Sequence, residues 1–397
     1  MKQGWEIKRL GEIADVEYGF TDKSTEEGDY RYVRITDIDN NGELISTEKK
    51  YLKHSKEAKE FLIRDNDLLM ARTGATFAKV LLYEDFEPSV FASYLIRIKF
   101  KEKIENKLYW YFTKTKSYWE QANSLASGAA QPHFNGAAVK QVIFSYPKSL
   151  PEQQRIVAIL DEAFAAIAKA KANAEQNLKN SKELFDVYLH KYYTSKEEGW
   201  EEKNLKEIAE YFNGLTYSPK DVRNNEGIIV LRSSNVQNDE LDFDDIVRVN
   251  LTVKEKIIVK NGDILMCSRN GSKRLVGKTA TIKDLDEEMT FGTFMMIIRS
   301  QYNPYLAWFF KSTDFRKQIS GGENTMINQI TRYMLDDVVL SFPPIETQKG
   351  IVQKLDALST EIKKLDTIYN QKINDLEELK KSVLQKAFAG ELSMVKC

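Results

Sequence analysis

Cysteine is nearly absent. Cys267 and Cys397 are the two in 397 residues, too few for a disulfide framework, which points to a reducing cytoplasm. Histidine is equally scarce: His54, His133 and His190 are isolated, none at metal-ligand spacing from another His or Cys. No apolar run reaches the roughly 18–20 residues that cross a bilayer, so no membrane role is expected. The opening segment, Met1 to Lys8, lacks the apolar core of a signal peptide. Charge of one sign is missing too. With 58 basic and 59 acidic residues the net charge is −1, which excludes a globally basic nucleic-acid binder and makes any DNA-binding surface a local one. With 19 Gly, 8 Pro, 42 % hydrophobic and 29 % charged residues, the composition excludes collagen, low complexity and disorder. The length calls for two or three domains.

What the chain does have is an internal repeat, the first pattern to seek. Residues 4–24 and 199–219 are identical at ten of twenty-one positions at an offset of 195, among them Gly4/Gly199, Trp5/Trp200, Leu10/Leu205, Ile13/Ile208, Ala14/Ala209 and Gly19/Gly214. The match continues from Asp65–Met70 to Asn261–Met266, from Phe91–Ile98 to Phe291–Ile298, and from Ile143–Pro147 to Val339–Pro343. This is a duplicated domain, not a solenoid, whose periods run roughly 20–50 residues. Each copy mixes short strand-like runs, such as Val80–Tyr83 and Tyr94–Ile98, with turn signals such as Asn40-Asn41-Gly42 and Asn270-Gly271. Helices are expected at about 107–122 and 303–319.

Each copy ends in a long helix. Pro151 suits a first helical position, and Glu152 a first turn. An apolar stripe then runs through Ile156, Leu160, Ala163, Ile167, Ala170, Ala174, Leu178, Ser181, Phe185 and Tyr188. The second stripe runs through Ile351, Leu355, Leu358, Ile362, Leu365, Tyr369, Ile373, Leu376, Leu379 and Val383, before Gly390 as a natural stop. Small residues in one seam face large ones in the other, so the helices are expected to pair antiparallel. The domains are 1–147 and 196–343, with helical regions at 148–195 and 344–397. The fold class is α+β, with two repeated domains joined by two long helices in an antiparallel coiled coil. A rod with a reader at each end suits duplex DNA, whose dimeric readers sit about one helical turn apart.

No catalytic constellation emerges. Gly271 to Thr279 resembles a phosphate loop, but five residues separate its glycines instead of four, and Ala280-Thr281-Ile282 reads as strand where that loop opens a helix. Asn303-Pro304-Tyr305 lacks the second proline of an adenine methyltransferase loop and reads better as a helix start. Asp85 with Glu105-Asn106-Lys107 has the order of a nuclease metal site, an order that chance supplies in a chain this charged.

The junctions between globule and helix carry a resemblance. Leu150-Pro151-Glu152-Gln153-Gln154-Arg155-Ile156 with Leu160-Asp161 is similar to the junction of the specificity (S) subunits of type I restriction–modification enzymes. Glu346-Thr347-Gln348 with Ile351 and Leu355-Asp356 looks like a second copy that departs at Thr347, where that family usually has Glu. The ending Leu384 to Leu392 and the opening Gly-Trp-x-x-x-x-Leu-x-Glu-Ile-Ala of both repeats resemble the same family. The resemblance covers essentially the whole chain. It implies two target-recognition domains, an asymmetric bipartite target on double-stranded DNA, and no catalytic site in the chain. It implies partners as well: two modification subunits that methylate adenine N6, and restriction (endonuclease/translocase) subunits. S-adenosylmethionine, ATP and Mg are expected on those partners, with no cofactor bound by this chain. The competing readings are a recognition subunit of a related type IIB-like system and a coiled-coil adaptor whose globules bind proteins.

Candidate DNA contacts are basic and amide residues on turn-rich loops. In the first domain they are Lys23, Arg34, Arg72, Thr73, Lys79, Gln131 and His133. In the second they are Lys220, Arg232, Arg269, Asn270, Lys273, Arg274, Lys278 and Arg332. Arg and Lys suit guanine edges and phosphates, and Asn and Gln suit adenine. Arg34 and Arg232, inside matching strand-like runs, have a second reading as scaffold braces. Trp5 and Trp200 read as core anchors. Tyr188, Tyr192 and Tyr193 read as exposed aromatics suited to docking a partner.

Overall fold

The computed structural model describes residues 3–45, 47–128, 132–195, 197–320 and 328–392. The chain divides into two compact units: Met1–Asn173 with Gln371–Cys397, and Ala174–Asn370. Each unit therefore holds one globule, the start of one long helix and the end of the other.

In the first unit the strand Trp5–Arg9 pairs antiparallel with Ile143–Pro147, Trp5 opposite Pro147, so the two ends of the globule meet in one ribbon. A four-stranded antiparallel sheet follows in the order Ala14–Tyr18, Leu95–Phe100, Leu68–Ala71, Val80–Leu82. A second sheet sets Tyr30–Val33 between Tyr51–Leu52 and Ser89–Phe91, the latter pairing parallel. The second unit repeats this plan. Glu201–Asn204 pairs with Val339–Phe342. One sheet runs Glu210–Asn213, Met295–Arg299, Ile264–Cys267, Thr279–Thr281. Its other sheet, also four-stranded, contains the parallel pair Ile228–Leu231 and Met289–Phe291, with Val222–Arg223 added at the edge.

The expected helix at 107–122 is two, Asn106–Phe112 and Lys116–Leu125. Its counterpart is Asn303–Phe309 and Thr313–Ser320. The breaks are capped locally. The Thr115 hydroxyl accepts from Tyr118 N at 3.2 Å and the Ser312 hydroxyl from Phe315 N at 3.1 Å. A hydroxyl that satisfies a free helical N–H offers the chain a new start in place of continuation.

The long helices are Leu150–Thr194 and Ile345–Ala389, 45 residues each, so each is roughly 68 Å long. Gly390, with φ +65°, closes the second. In the first unit Ile156 and Leu160 share a core with Leu384 and Ala387, and Lys171 pairs with Glu377 at 2.6 Å. In the second unit Leu189 and Tyr193 share a core with Ile351 and Leu355, and Lys182 faces Asp366 at 3.7 Å. Within each unit the partners run in opposite directions along the two helices, so the segments are antiparallel.

Two expectations about these helices need correction. Leu365 does not lie in the seam but is 37 % exposed, because Ile362, Asp366 and Tyr369 turn inward instead. Tyr193 is not exposed. It is buried against Tyr305 and Phe309, and its hydroxyl donates to Tyr305 O at 2.7 Å. Tyr192 is half-buried against the same core, and Tyr188 alone of the three is exposed.

The junction residues have definite physical roles. Gln153 is fully buried; it donates to Pro147 O at 2.8 Å and accepts from Glu105 N at 2.8 Å. Gln348 likewise donates to Pro343 O at 2.8 Å. Each amide thus satisfies a buried carbonyl where strand becomes helix, a group that is costly to leave unpaired. The acidic residues about two turns further on accept from the globule: Tyr111 donates to Asp161 at 2.5 Å and Trp308 Nε1 to Asp356 at 3.0 Å. Trp5 and Trp200 pack half-buried against their cores, as anchors.

Candidate nucleic-acid interface

In each globule the loop after the third sheet strand meets the turn before the second. Gly19 passes beneath that turn in the first globule. A Cβ there would stand 2.3 Å from Ala92 O, and one on Gly214 would stand 2.2 Å from Gly292 O. This close approach is the reason both repeats keep glycine. The turn itself is closed by Leu95 N donating to Ala92 O and by Met295 N donating to Gly292 O, both at 2.8 Å.

On this frame Arg72 N donates to Tyr94 O at 3.1 Å, and the Arg72 guanidinium lies 5.3 Å from the Tyr18 ring centre and 5.1 Å from that of Tyr94. Among the described residues its Nε is buried with no hydrogen-bond partner, as is the Thr73 hydroxyl. Phe134 N donates to Arg72 O at 2.8 Å, which brings the segment carrying His133 alongside. The His133 side chain is exposed, while its main chain pairs with Ser127. Thr76 donates to Ile35 O at 3.1 Å and ties in the loop of Arg34. Gln131 lies outside the described residues.

The second globule builds the same corner from other residues. Arg269 N donates to Phe294 O at 3.1 Å and the guanidinium lies 5.5 Å from the Phe294 ring centre. Asn270 donates to the Ser233 hydroxyl at 3.0 Å and accepts from Ser272 N at 2.9 Å. Lys273 and Arg274 are exposed on the one-turn helix Lys273–Leu275. Among the described residues no acidic side chain pairs with either of them. Arg332 is exposed at the start of Arg332–Asp336, beside Tyr333.

Four candidates are already committed within the fold. Arg34 pairs with Asp37 at 2.7 Å and Arg232 with Asp245 at 2.6 Å, which favours bracing. Lys79 donates to Asn40 at 2.6 Å. Lys278 donates to Val236 O at 2.7 Å, and burial pulls its ammonium below the usual lysine range. Lys23 and Lys220 are exposed on other turns, and no side-chain contact ties either to the corner among the described residues.

Sequence reasoning misses the rings. The apolar pattern puts Tyr94 in a strand with Leu95–Ile98, but the strand starts at Leu95 and Tyr94 stands in the turn. The pattern also misses the buried cation behind the sheet. Arg97 donates to Leu62 O at 2.7 Å and pairs with Asp67 at 3.2 Å and with Glu17 at 2.8 Å. Arg299 donates to Ile258 O at 2.9 Å and pairs with Asp263 at 2.6 Å. The two arginines enter from strand positions two residues apart on one face, so aligning the repeats does not reveal them.

A family model described as type I restriction modification DNA specificity domain matches the chain twice, over residues 2–179 and 197–378. The chain belongs to this family. It is 30 % identical over 205 residues to the type I restriction enzyme EcoKI specificity subunit of Escherichia coli (strain K12), covering 49 % of this chain and 44 % of that protein. It is 31 % identical over 205 residues to the StySPI specificity subunit of Salmonella potsdam, again covering 49 % and 44 %. These matches span less than half the length of either relative. The EcoBI specificity subunit of Escherichia coli aligns over 98 % of this chain and 86 % of its own length at 21 % identity. In fold the chain is similar to a chain solved in work on complex assembly and conformational transition of the type I R-M system, with TM-score 0.78, 18 % identity and 98 % and 99 % coverage. The HsdS subunit of Thermoanaerobacter tengcongensis follows, with TM-score 0.62, 18 % identity and 98 % coverage of both chains.

Each specificity domain of this chain thus presents a corner of guanidinium and aromatic groups on a sheet, joined in the second by the Asn270 amide. Such a surface can contact phosphates and base edges without performing covalent chemistry. Among the described residues no group of three or more His, Cys, Asp or Glu could hold a metal ion, and no helix is long and apolar enough to cross a membrane.

Proposed function

We propose that the chain is the DNA-reading subunit of a type I restriction–modification complex, without a catalytic site of its own. Each globule reads one part of an asymmetric bipartite site on double-stranded DNA, and partner subunits methylate adenine N6 and restrict. Two modification subunits and the restriction subunits are the partners. S-adenosylmethionine, ATP and Mg bind to those partners and not to this chain, in the cytoplasm. The observation that carries this reading is the double match to one specificity domain, with the arginine–aromatic corner present in both copies.

Salt dependence tests the binding. Affinity carried by phosphates falls steeply with salt in proportion to the contacts made, whereas protein binding by an apolar groove does not. A DNA affinity indifferent to salt would overturn the proposal.

A further inference from the structure

We propose that Tyr94 and Phe294 are base-contacting specificity residues, one for each half of the target. The inference rests on the DNA-reading function above. Both rings project from the same four-residue turn. Tyr94 is 52 % exposed and Phe294 55 %, while the flanking Phe91, Leu95, Phe291 and Met295 are at most 1 % exposed. Water is a poor environment for an aromatic ring, and nothing in the turn requires one, since its closing hydrogen bonds are all main chain. The more exposed Tyr333 has no such recurrence: it follows the cap Thr331, as Ala137 follows the cap Asn135.

The repeats keep the ring and vary the hydroxyl, so the shared chemistry is that of the ring. Each ring carries an arginine over one face, at 5.1 Å for Tyr94 and 5.5 Å for Phe294. A guanidinium held on a ring is oriented before binding. The ring then offers its other face or its edge to a base, through stacking or through apolar contact with a thymine methyl, and the cation neutralises the adjacent backbone. The glycine beneath each turn lets the two backbones approach closely, and the ring above stays exposed.

The test uses the full chain with its modification partners, reading the methylated motif across a genome for the wild type, Tyr94→Ala, Phe294→Ala and Phe294→Tyr. Phe294→Ala is expected to relax one position in one half of the motif, with discrimination there falling roughly five- to 150-fold. Tyr94→Ala should do the same in the other half only, and Phe294→Tyr should keep the motif. Melting temperatures unchanged from wild type exclude unfolding, as expected for exposed rings. An unaltered motif in both alanine variants, or loss of both halves in either one, overturns the inference while the DNA-reading function stands. A wild type that yields no two-part motif overturns the function, and this inference with it.

Discussion

The indole of Trp308 donates to the carboxylate of Asp356 at 3.0 Å, and the hydroxyl of Tyr111 does the same for Asp161 at 2.5 Å. A globule helix is thereby pinned to the early turns of a long helix by a charge-assisted hydrogen bond in each unit, and in the first unit Lys107 adds an ion pair to Asp161 at 3.0 Å. Such bonds contribute about 1.5–3 kcal/mol. The orientation of the reading surface on its helix depends on this contact and on the buried glutamine beside it.

Gln153 satisfies two main-chain groups and Gln348 one, since among the described residues the Gln348 carbonyl oxygen is buried without a partner. Gln153→Ala is therefore expected to destabilise its unit by about 1–3 kcal/mol for each group left unpaired, and Gln348→Ala by less. Urea denaturation of the two variants checks the ranking. Equal effects would contradict it.

The buried pair in the second unit ranks above any surface pair. Asp263 is 2 % exposed, so Arg299→Met leaves a buried carboxylate with the Lys260 N–H at 2.8 Å but without its countercharge, at a cost of about 3–5 kcal/mol. Arg248→Met, which breaks the more exposed pair with Glu287 at 2.6 Å, should cost about 0–1 kcal/mol. Thermal melting distinguishes the two.

The helix seam predicts a contrast of its own. Ala174 is 1 % exposed and Leu365 37 %. Ala174→Glu buries a charge and should cost several kcal/mol, whereas Leu365→Glu places its carboxylate at the surface and should be tolerated. The alternation of apolar residues makes both positions look equivalent. Spacing alone does not reveal that Asp366 turns in beside Ile362 and Tyr369 and leaves Leu365 out.

The hydrogen bond from Lys171 holds the Glu377 carboxyl below its ordinary value of 4.5. A depressed carboxyl contributes stability above its unfolded value that is lost as pH falls through the folded one. The first unit should therefore lose stability below about pH 4.5, less steeply in Glu377→Gln, and high salt should shrink the difference because the pair is partly exposed. Identical acid denaturation of variant and wild type would contradict the assignment.

The exposed loop of the second globule provides a binding prediction. Replacing Lys273 and Arg274 by Ala together should lower affinity for all DNA sequences and reduce the salt slope by about one for each phosphate that is no longer neutralised. Unchanged affinity would make this loop a merely solvated surface.

Much of the fold was legible because duplication repeats its punctuation. Trp5/Trp200, Gly19/Gly214 and the Gln153/Gln348 junctions mark the same structural needs twice. The site was less legible. Arg34 and Lys79 are basic residues on loops, as DNA contacts are, yet Arg34 is paired with Asp37 and Lys79 is held by a hydrogen bond to Asn40. Tyr94 sits in an apolar run and reads as core until the turn at Ala92 lifts it out. A hydrophobic pattern records what can be buried, and the residues of a reading surface depart from it.

The central claim is that each globule reads its own half of a two-part site. Exchanging residues 1–147 for the corresponding domain of a relative, then mapping N6-methyladenine in cells that carry the modification partners, tests it directly. The account predicts a motif in which one half changes and the other is retained, with one methylated adenine on each strand and an unread spacer of roughly 6–7 base pairs. A single continuous motif, or a change in both halves, would contradict it.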